Sequence, residues 1–323
     1  MNLLLYFLVV VVWGGTWIAI KYQVQEVSPV VAIFYRSAAS AVILLGYIWI
    51  RRLRWRFGLR EHRMMAMVGL FMFSLNYVFL YFSELYITSG LVALIFALTL
   101  PFNIINSAIF LRRRVRPASL VACAIALAGI VVVFWTDLTT LTLDNRELRG
   151  VLFAALAALC FSCGNVVSDR AQSVGMPIVQ TETYGMVYGA LFMVPVVLLT
   201  SGFQFSLDPK FVYSLGYLVI FGSIIAFGSY LTIIGRIGAD RAGYITVLFP
   251  IVALLLSTFL EGYSWTVRAG VGAALVLAGC ALSVRLPAGP ARGADEPSRT
   301  GRPLVESSLT EPDSHRRPGA RRR

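Results

Sequence analysis

The sequence predicts an all-α polytopic membrane protein, with ten transmembrane helices forming two inverted five-helix repeats around a central cavity. Three observations lead to this fold class. The composition is 58% hydrophobic and only 14% charged, with a mean hydropathy of +0.76. Ten apolar stretches are long enough to cross a bilayer, and one sequence pattern recurs about 149 residues further along the chain. A soluble domain of 323 residues would need far more polar surface.

The ten predicted spans follow from the length that a membrane requires. About 20 mostly apolar residues cross the hydrocarbon core as a helix, which satisfies every backbone N–H and C=O within the segment. The predicted spans cover residues 2–20, 29–50, 64–83, 89–111, 117–135, 150–168, 178–200, 211–233, 241–260 and 266–285. The first span is interpreted as a retained helix, because it lacks the basic leader and small-residue cleavage site of a signal peptide.

The basic residues indicate which side of the membrane each loop faces. The loops after spans 2 and 4 are rich in arginine, whereas the alternate loops contain few cations; the arginines are Arg51, Arg52, Arg54, Arg56, Arg60 and Arg63, then Arg112, Arg113, Arg114 and Arg116. By the positive-inside rule, the even-numbered loops and both termini are cytoplasmic. The net charge of +12 is therefore an orientation signal and not a nucleic-acid footprint.

A duplicated pattern divides the chain into two halves. Pro101 leads to Phe110-Leu111-Arg112, and Pro250 leads to Phe259-Leu260-Glu261; Leu-Ala-Gly follows each of them. Five spans per half is an odd number, so the second half must enter the membrane from the opposite side. The predicted organisation is a first repeat at 1–135, a linker at 136–149, a second repeat at 150–285 and a disordered cytoplasmic tail at 286–323, which lacks large apolar side chains.

No catalytic residue, metal site or cofactor is expected. Cys160 and Cys163 lie within an apolar span and are interpreted as small buried side chains, while His62 and His315 both lie outside the spans. An intramembrane enzyme would need a nucleophile with its base, a pair of aspartates or a metal-binding set inside the spans, and none is present.

Arg36 is the most costly residue in the predicted spans, since a charge at this depth costs about 2.5 to 3.5 kcal/mol. It should face the interior of the bundle, with polar and aromatic residues at a similar depth. We expect an outer-half substrate-binding cluster of Trp13, Trp17, Arg36, Asn76, Tyr77, Tyr81 and Glu84. The alternative is that the aromatic residues only pack, and that Arg36 and Glu84 form a structural pair.

The second repeat should supply a matching inner-half cluster, for which the candidates are Asn103, Asn165, Glu182 and Tyr184. The alternatives are that Glu182 reaches towards water and that the asparagines only bond neighbouring helices. Pro101 and Pro250 occupy corresponding mid-helix positions, where each removes a backbone hydrogen bond and should kink its helix. Paired interruptions of this kind indicate a central site in transporters.

A set of short motifs follows the predicted helices in order, namely Trp13-Gly14-Gly15-Thr16-Trp17, Pro29, Arg36, Thr88-Ser89-Gly90, Pro101, Pro250 and Glu261. In these motifs the chain resembles the EamA family of the drug/metabolite transporter superfamily, over about 285 residues. The resemblance implies a ten-helix bundle of two inverted repeats that exports or imports small metabolites. Family members tend to carry Glu after the fourth helix of each repeat, and Arg112 departs from that pattern.

The leading hypothesis is a secondary transporter that works by alternating access, because no GxxxxGK[ST] nucleotide-binding loop is present. Its partners would be a small-molecule substrate such as an amino acid or aromatic compound, membrane lipid, and a coupled proton or other ion, for which Glu84 and Glu182 are candidates. The expected location is a plasma membrane of the bacterial inner-membrane type. A channel, a sensor and an intramembrane enzyme are the alternatives.

The predicted orientation can be tested with a cysteine at position 112. This position should be cytoplasmic, so a membrane-impermeant thiol reagent applied to intact cells is expected to leave it unlabelled. Labelling from outside would contradict the orientation.

Overall fold

The computed structural model describes residues 2–111, 117–133, 135, 146–237 and 244–285, and these residues are helical with short connections and no strand. Arg112, most of the predicted linker and the predicted tail lie outside them. The helices among these residues, with successive segments of one helix grouped under one label, are α1 (Asn2–Glu26), α2 (Pro29–Ile50), α3 (Leu59–Val68 and Asn76–Ser83), α4 (Ser89–Phe96 and Thr99–Phe110), α5 (Pro117–Val133), α6 (Arg146–Ser173), α7 (Ile178–Thr200), α8 (Pro209–Tyr217 and Ala226–Ile237), α9 (Tyr244–Leu260) and α10 (Val267–Arg285).

Seven of these helices are long and apolar enough to cross a membrane, namely α1 to α4 and α6 to α8. Helices α5, α9 and α10 contain shorter apolar stretches among the described residues, so their membrane crossing stays a prediction. Large apolar side chains such as Val42, Leu199 and Phe259 point outwards, as expected for surfaces in contact with lipid. The protein is a multi-pass membrane protein.

Four helices extend beyond their predicted bounds. Helix α1 ends at Glu26 and not at residue 20, and α6 runs from Arg146 to Ser173 and not from 150 to 168. Helix α3 begins at Leu59 and not at residue 64, and α8 runs from Pro209 to Ile237 and not from 211 to 233. The predictions followed apolarity alone, whereas a helix can continue with polar residues beyond the hydrocarbon core. The predicted linker is correspondingly shorter at its C-terminal end.

Helix α4 is interrupted at Ala97 and Leu98, one turn before Pro101. Pro101 has no N–H to donate to the carbonyl oxygen of Ala97, and its ring crowds that carbonyl. The oxygen of Ala97 instead accepts a bond from the Leu100 N–H at 3.2 Å, which tightens the chain locally. Helix α9 continues without a break through Pro250, so paired kinks stay a prediction.

Helices α3 and α8 each contain a π-helical segment, at Gly69–Leu75 and Leu218–Ile225. At the end of each segment a backbone hydrogen bond joins residues five positions apart. The Asn76 N–H donates to the carbonyl oxygen of Phe71, and the Ala226 N–H donates to the carbonyl oxygen of Phe221. The segments begin 149 residues apart, as the two prolines do. Nothing in the sequence pattern predicts them, and π-helical turns occur often at functional sites.

Helices of the two halves pack against each other in a matching pattern. Helix α1 packs against α8 and α9, and α6 packs against α3 and α4; α2 packs against α7, and α5 against α10. Replacing each helix by its counterpart in the other half, α1 by α6, α8 by α3 and α9 by α4, converts the contacts of α1 into those of α6. A duplicated five-helix unit predicts this correspondence, while the inversion of the second unit stays a prediction.

Helices α5 and α10 approach closely at two glycines. A Cβ added at Gly272 would lie 2.6 Å from the carbonyl oxygen of Gly129, whereas one added at Gly270 would meet no atom within 4 Å. We expect Gly272→Leu to separate the two helices and cost about 1–3 kcal/mol or more through overpacking. The apparent melting temperature in detergent measures this, with Gly270→Leu as the control on the same helix. Equal melting temperatures for the two variants would contradict the close contact.

Candidate functional site

A cavity of about 40 Å³ lies in the middle of the bundle. Helices α1, α2, α3, α4, α6, α8 and α9 contribute to its wall, so both halves of the chain take part. Its lining residues are Trp13, Thr16, Trp17, Ile20, Arg36, Asn76, Tyr77, Leu80, Phe96, Phe161, Phe227 and Phe249. The wall is mainly aromatic, with one buried charge and one buried amide.

Two tryptophans of α1 organise the aromatic wall. Trp13 meets the ring of Phe227 at a centroid distance of 5.0 Å, and Trp17 stacks on Phe249 at 5.6 Å. Trp17 also meets Phe96 of α4 at 5.3 Å. The spacing of four residues places both indoles on one face of α1. These ring contacts join α1, α4, α8 and α9 around the cavity.

The π-helical segment of α8 lies directly against α1 and α2. The carbonyl oxygen of Gly222 accepts a bond from Nε1 of Trp13 at 3.2 Å. A Cβ at Gly222 would lie 2.9 Å from Cγ2 of Thr16 and 3.4 Å from Nη2 of Arg36. The absence of a side chain at this position therefore lets α8 approach the cavity.

Arg36 is 3% exposed, and the side chains that bond or contact its guanidinium are neutral. Its Nε donates to Oγ of Ser223 at 2.9 Å and its Nη1 to the hydroxyl of Tyr81 at 3.5 Å. Its guanidinium carbon lies 4.2 Å from the centroid of the Tyr77 ring, a cation–π contact. Among the described residues no carboxylate forms an ion pair with it. Within the described part of the chain, the buried positive charge of the site therefore has no negative partner at ion-pair distance.

Three polar atoms of the cavity-lining residues lack hydrogen-bond partners among the described residues. They are Nε1 of Trp17, a donor, Oδ1 of Asn76, an acceptor, and the hydroxyl oxygen of Tyr77, which can donate and accept. The amide nitrogen of Asn76 donates to the carbonyl oxygen of Met72 at 3.0 Å, which fixes the orientation of the side chain. Buried polar groups are normally paired, so these three atoms leave donors and acceptors available in the cavity.

The structure brings most of the predicted outer cluster together. Trp13, Trp17, Arg36, Asn76 and Tyr77 all line the cavity. Tyr81 lies just beyond it, where its hydroxyl accepts from Arg36 and donates to Oε1 of Gln23 at 2.8 Å.

Glu84 lies apart from this group. Oε2 of its carboxyl group lies 2.9 Å from the hydroxyl oxygen of Ser89, and the described residues show no ion pair between Arg36 and Glu84. The side chain of Arg36 turns towards α8 because Ser223 of the π-helical segment reaches it there.

The four predicted inner residues occupy three different places. Nδ2 of Asn165 donates to Oδ1 of Asn103 at 3.3 Å, which joins α6 to α4. Glu182 is 2% exposed beside Gly228, and its Oε1 has no partner among the described residues. Tyr184 instead donates to the carbonyl oxygen of Trp55 at 2.8 Å, in the loop after α2. Residues two positions apart point to opposite sides of a helix, which explains why Glu182 and Tyr184 separate.

The sequence did not indicate the four phenylalanines of the cavity or Ser223. Phenylalanine facing a cavity and phenylalanine facing lipid occur in equally apolar surroundings. A helical stretch with Gly222 followed by a serine could have drawn attention to α8, but it is a weak signal in a chain with 27 glycines.

Comparisons with known proteins agree with this architecture. The model of the EamA-like transporter family matches residues 1–135 and 148–285. A solved structure titled "Crystal structure of protein" superposes with a TM-score of 0.64 at 19% identity, covering 87% of this chain and 95% of that one. At this identity the likeness concerns the fold alone.

Three relatives are named as transporters or pumps. An "Uncharacterized transporter" of Archaeoglobus fulgidus is 28% identical over 293 residues, with 86% of this chain and 96% of the relative covered. The "Uncharacterized inner membrane transporter YedA" of Escherichia coli K12 is 26% identical over 265 residues, with 79% and 81% covered. A Salmonella typhimurium protein, "Probable amino-acid metabolite efflux pump", is 24% identical over 303 residues, with 86% and 92% covered. The resemblance in the sequence motifs is confirmed, and the chain belongs to the EamA-like transporter family.

Proposed function

We propose that this protein is a secondary transporter of small zwitterionic amino acids and related aromatic metabolites, working by alternating access. The observation that carries the proposal is the buried guanidinium of Arg36, which faces an aromatic cavity without a carboxylate partner among the described residues. In this assignment Arg36 binds the carboxylate of the substrate, and the rings of Trp13 and Trp17 contact its apolar part.

The charge of Arg36 supports an anionic substrate group. A buried charge is costly unless an opposite charge or several hydrogen bonds compensate for it, and here Ser223 and Tyr81 supply neutral oxygens only. A carboxylate can accept two parallel bonds from a guanidinium, and bonds between charged partners are about twice as strong as neutral ones. A substrate carboxylate would therefore complete the site.

The unpaired acceptor on Asn76 supports a substrate that also carries a donor. An α-ammonium group would donate to Oδ1 of Asn76 and lie near the faces of aromatic rings, which attract cations. The carboxylate and ammonium of an amino acid are separated by one carbon atom. Arg36 and Asn76 line the same small cavity, so one zwitterion could meet both.

The cavity volume supports a mechanism with a conformational change. A cavity of about 40 Å³ on this measure has room for about three water molecules, at about 10–15 Å³ for each. An amino acid has at least five non-hydrogen atoms, so we expect it to separate the aromatic walls when it binds. Since these walls belong to both halves of the chain, binding would move the halves relative to each other, as alternating access requires.

The relatives support a transported substrate of this class. The printed name of the Salmonella relative includes amino-acid metabolites and efflux, and that of the Escherichia relative places it in an inner membrane. Substrate gradients or a coupled ion would supply the energy. We assign no catalytic role to any residue.

The role of Arg36 can be tested by exchange transport in proteoliposomes. A panel of radiolabelled amino acids and aromatic acids identifies a substrate by its saturable exchange. Arg36→Gln is expected to reduce that exchange at least tenfold, because a charge-assisted bond contributes about 1.5–3 kcal/mol. Arg51→Gln is the control, since Arg51 lies exposed at the C-terminal end of the same helix. Normal exchange by a folded Arg36→Gln protein would refute the assigned site.

The role of Asn76 can be tested through selectivity. Asn76→Leu removes the acceptor for the ammonium group, so we expect the apparent affinity for an amino acid to fall about tenfold, for a lost bond of about 1–2 kcal/mol. The affinity for the matching acid without the amino group should change much less. Competition of both compounds against one labelled substrate measures the two affinities. An equal loss for both would contradict the ammonium contact.

A further inference from the structure

A second polar site lies outside the cavity, where the loop after α3 meets the end of α9. Glu84 is fully buried and Glu261 is half-buried, and both approach the side chain of Ser89, the first residue of α4. Oγ of Ser89 lies 2.9 Å from Oε2 of Glu84 and 3.2 Å from Oε1 of Glu261. The positive-inside rule assigns this end of the bundle to the outside.

Counting hydrogen atoms indicates that two full hydrogen bonds in this arrangement need an additional proton. The serine hydroxyl carries one hydrogen, so only one of the two carboxyl oxygens can receive a full, well-aligned hydrogen bond from it. The other contact becomes a bond of that kind only if that carboxyl group is protonated and donates to the serine oxygen. Glu84 and Glu261 therefore share one carboxyl proton when both contacts are full hydrogen bonds.

The surroundings place this proton on Glu84. Glu261 accepts two further bonds at its Oε2, from the Ser257 hydroxyl at 2.7 Å and the Ser89 N–H at 3.0 Å, as an ionised carboxylate would. Glu84 has no such support, since its Oε1 is buried without a partner among the described residues. An ionised carboxylate in that position would be costly, whereas a neutral carboxyl needs fewer partners.

Burial outweighs the charged groups around the pair. Lys21 of α1 bonds the backbone carbonyl oxygens of Glu84 and Ile87 through its ammonium. Burial, the largest effect, raises the pKa of Glu84, whereas the charge of Lys21 lowers that pKa and the neighbouring Glu261 raises it. Other titratable groups at this end come from α3, the start of α6, the loop after α9 and the start of α10; they include Tyr81, Tyr86, Arg146, Glu147, Arg149, Tyr263 and Arg268. Arg146 donates to the carbonyl oxygen of Leu85 at 3.2 Å.

We propose that Glu84, Ser89 and Glu261 form a proton-binding site. Glu84 carries the proton and donates a hydrogen bond to the Ser89 oxygen, and the Ser89 hydroxyl donates a hydrogen bond to Glu261. The nearest source of protons is the aqueous phase beside half-buried Glu261. Loss of the proton would place two negative charges on either side of one hydroxyl and weaken the contact between α4 and α9.

The same helices also line the cavity, through Phe96 of α4 and Phe249 of α9. Glu84 also lies one turn beyond Tyr81, which bonds Arg36. Protonation could therefore act on the cavity through helices that both sites share. Such coupling rests on the proposed transport function, whereas proton binding does not, so the test measures binding alone.

The first measurement is the pH dependence of the melting temperature of the full chain in detergent. The folded protein should hold the shared proton at pH values where a carboxyl group in water, with a pKa of about 4.3, has lost it. Unfolding then releases a proton, so the stability of the wild type should fall as pH rises, with the unfolding equilibrium changing tenfold per pH unit for one proton. Glu84→Gln should weaken this dependence, because its amide donates to Ser89 at every pH.

Glu147→Gln is the matched control, since Glu147 is an exposed carboxylate at the same end of the bundle. It should retain the pH dependence of the wild type. Glu182 is also buried, but it is present in all these variants and cancels in their comparison. Parallel pH curves for the wild type and Glu84→Gln would overturn the proposal.

The second measurement is infrared difference spectroscopy at neutral pH, which distinguishes a protonated carboxyl group from an ionised one. Glu84→Gln should remove one protonated carboxyl band. Ser89→Ala should shift that band, because the carboxyl group loses its acceptor, and Glu147→Gln should leave it in place. Loss of an ionised carboxylate band in Glu84→Gln, with no protonated band lost, would show that Glu84 carries no proton.

Discussion

The burial of the Arg36 guanidinium is the constraint around which the centre of this protein is organised. A charge at this depth in a membrane protein must be surrounded by polar oxygens and ring faces. Ser223, Tyr81 and the face of Tyr77 provide them from two different helices. Gly222 lets the backbone of α8 come close enough for Ser223 to reach the guanidinium.

This constraint also explains why α8 is irregular at that position. A π-helical turn shifts the register of the residues that follow it, and here it accompanies the placement of Gly222 and Ser223 against α1 and α2. Helix α3 carries the corresponding irregularity and packs against α7. Similar local distortions at equivalent places in both halves agree with a duplicated five-helix unit.

Helix α3 links the two polar sites of the molecule. Tyr81 bonds Arg36, and Glu84 follows one turn later beside Ser89 and Glu261. A substrate carboxylate at the first site and a proton at the second would thus act on the same group of helices. The sequence placed Arg36 and Glu84 in one cluster; the structure instead separates them and gives each its own surroundings.

The residue pattern alone establishes that the chain is a helical membrane protein, which residues form its apolar helices, and that Arg36 must face inwards. These properties depend on local composition, because each helix in lipid satisfies its own backbone. Packing in three dimensions is responsible for the four phenylalanines in the cavity, for the turn of Arg36 towards Ser223, and for the meeting of Ser89 with Glu261. The reason is that an apolar side chain facing lipid and one facing a cavity look alike in sequence, and contacts between residues more than 170 positions apart exist only once the helices have assembled.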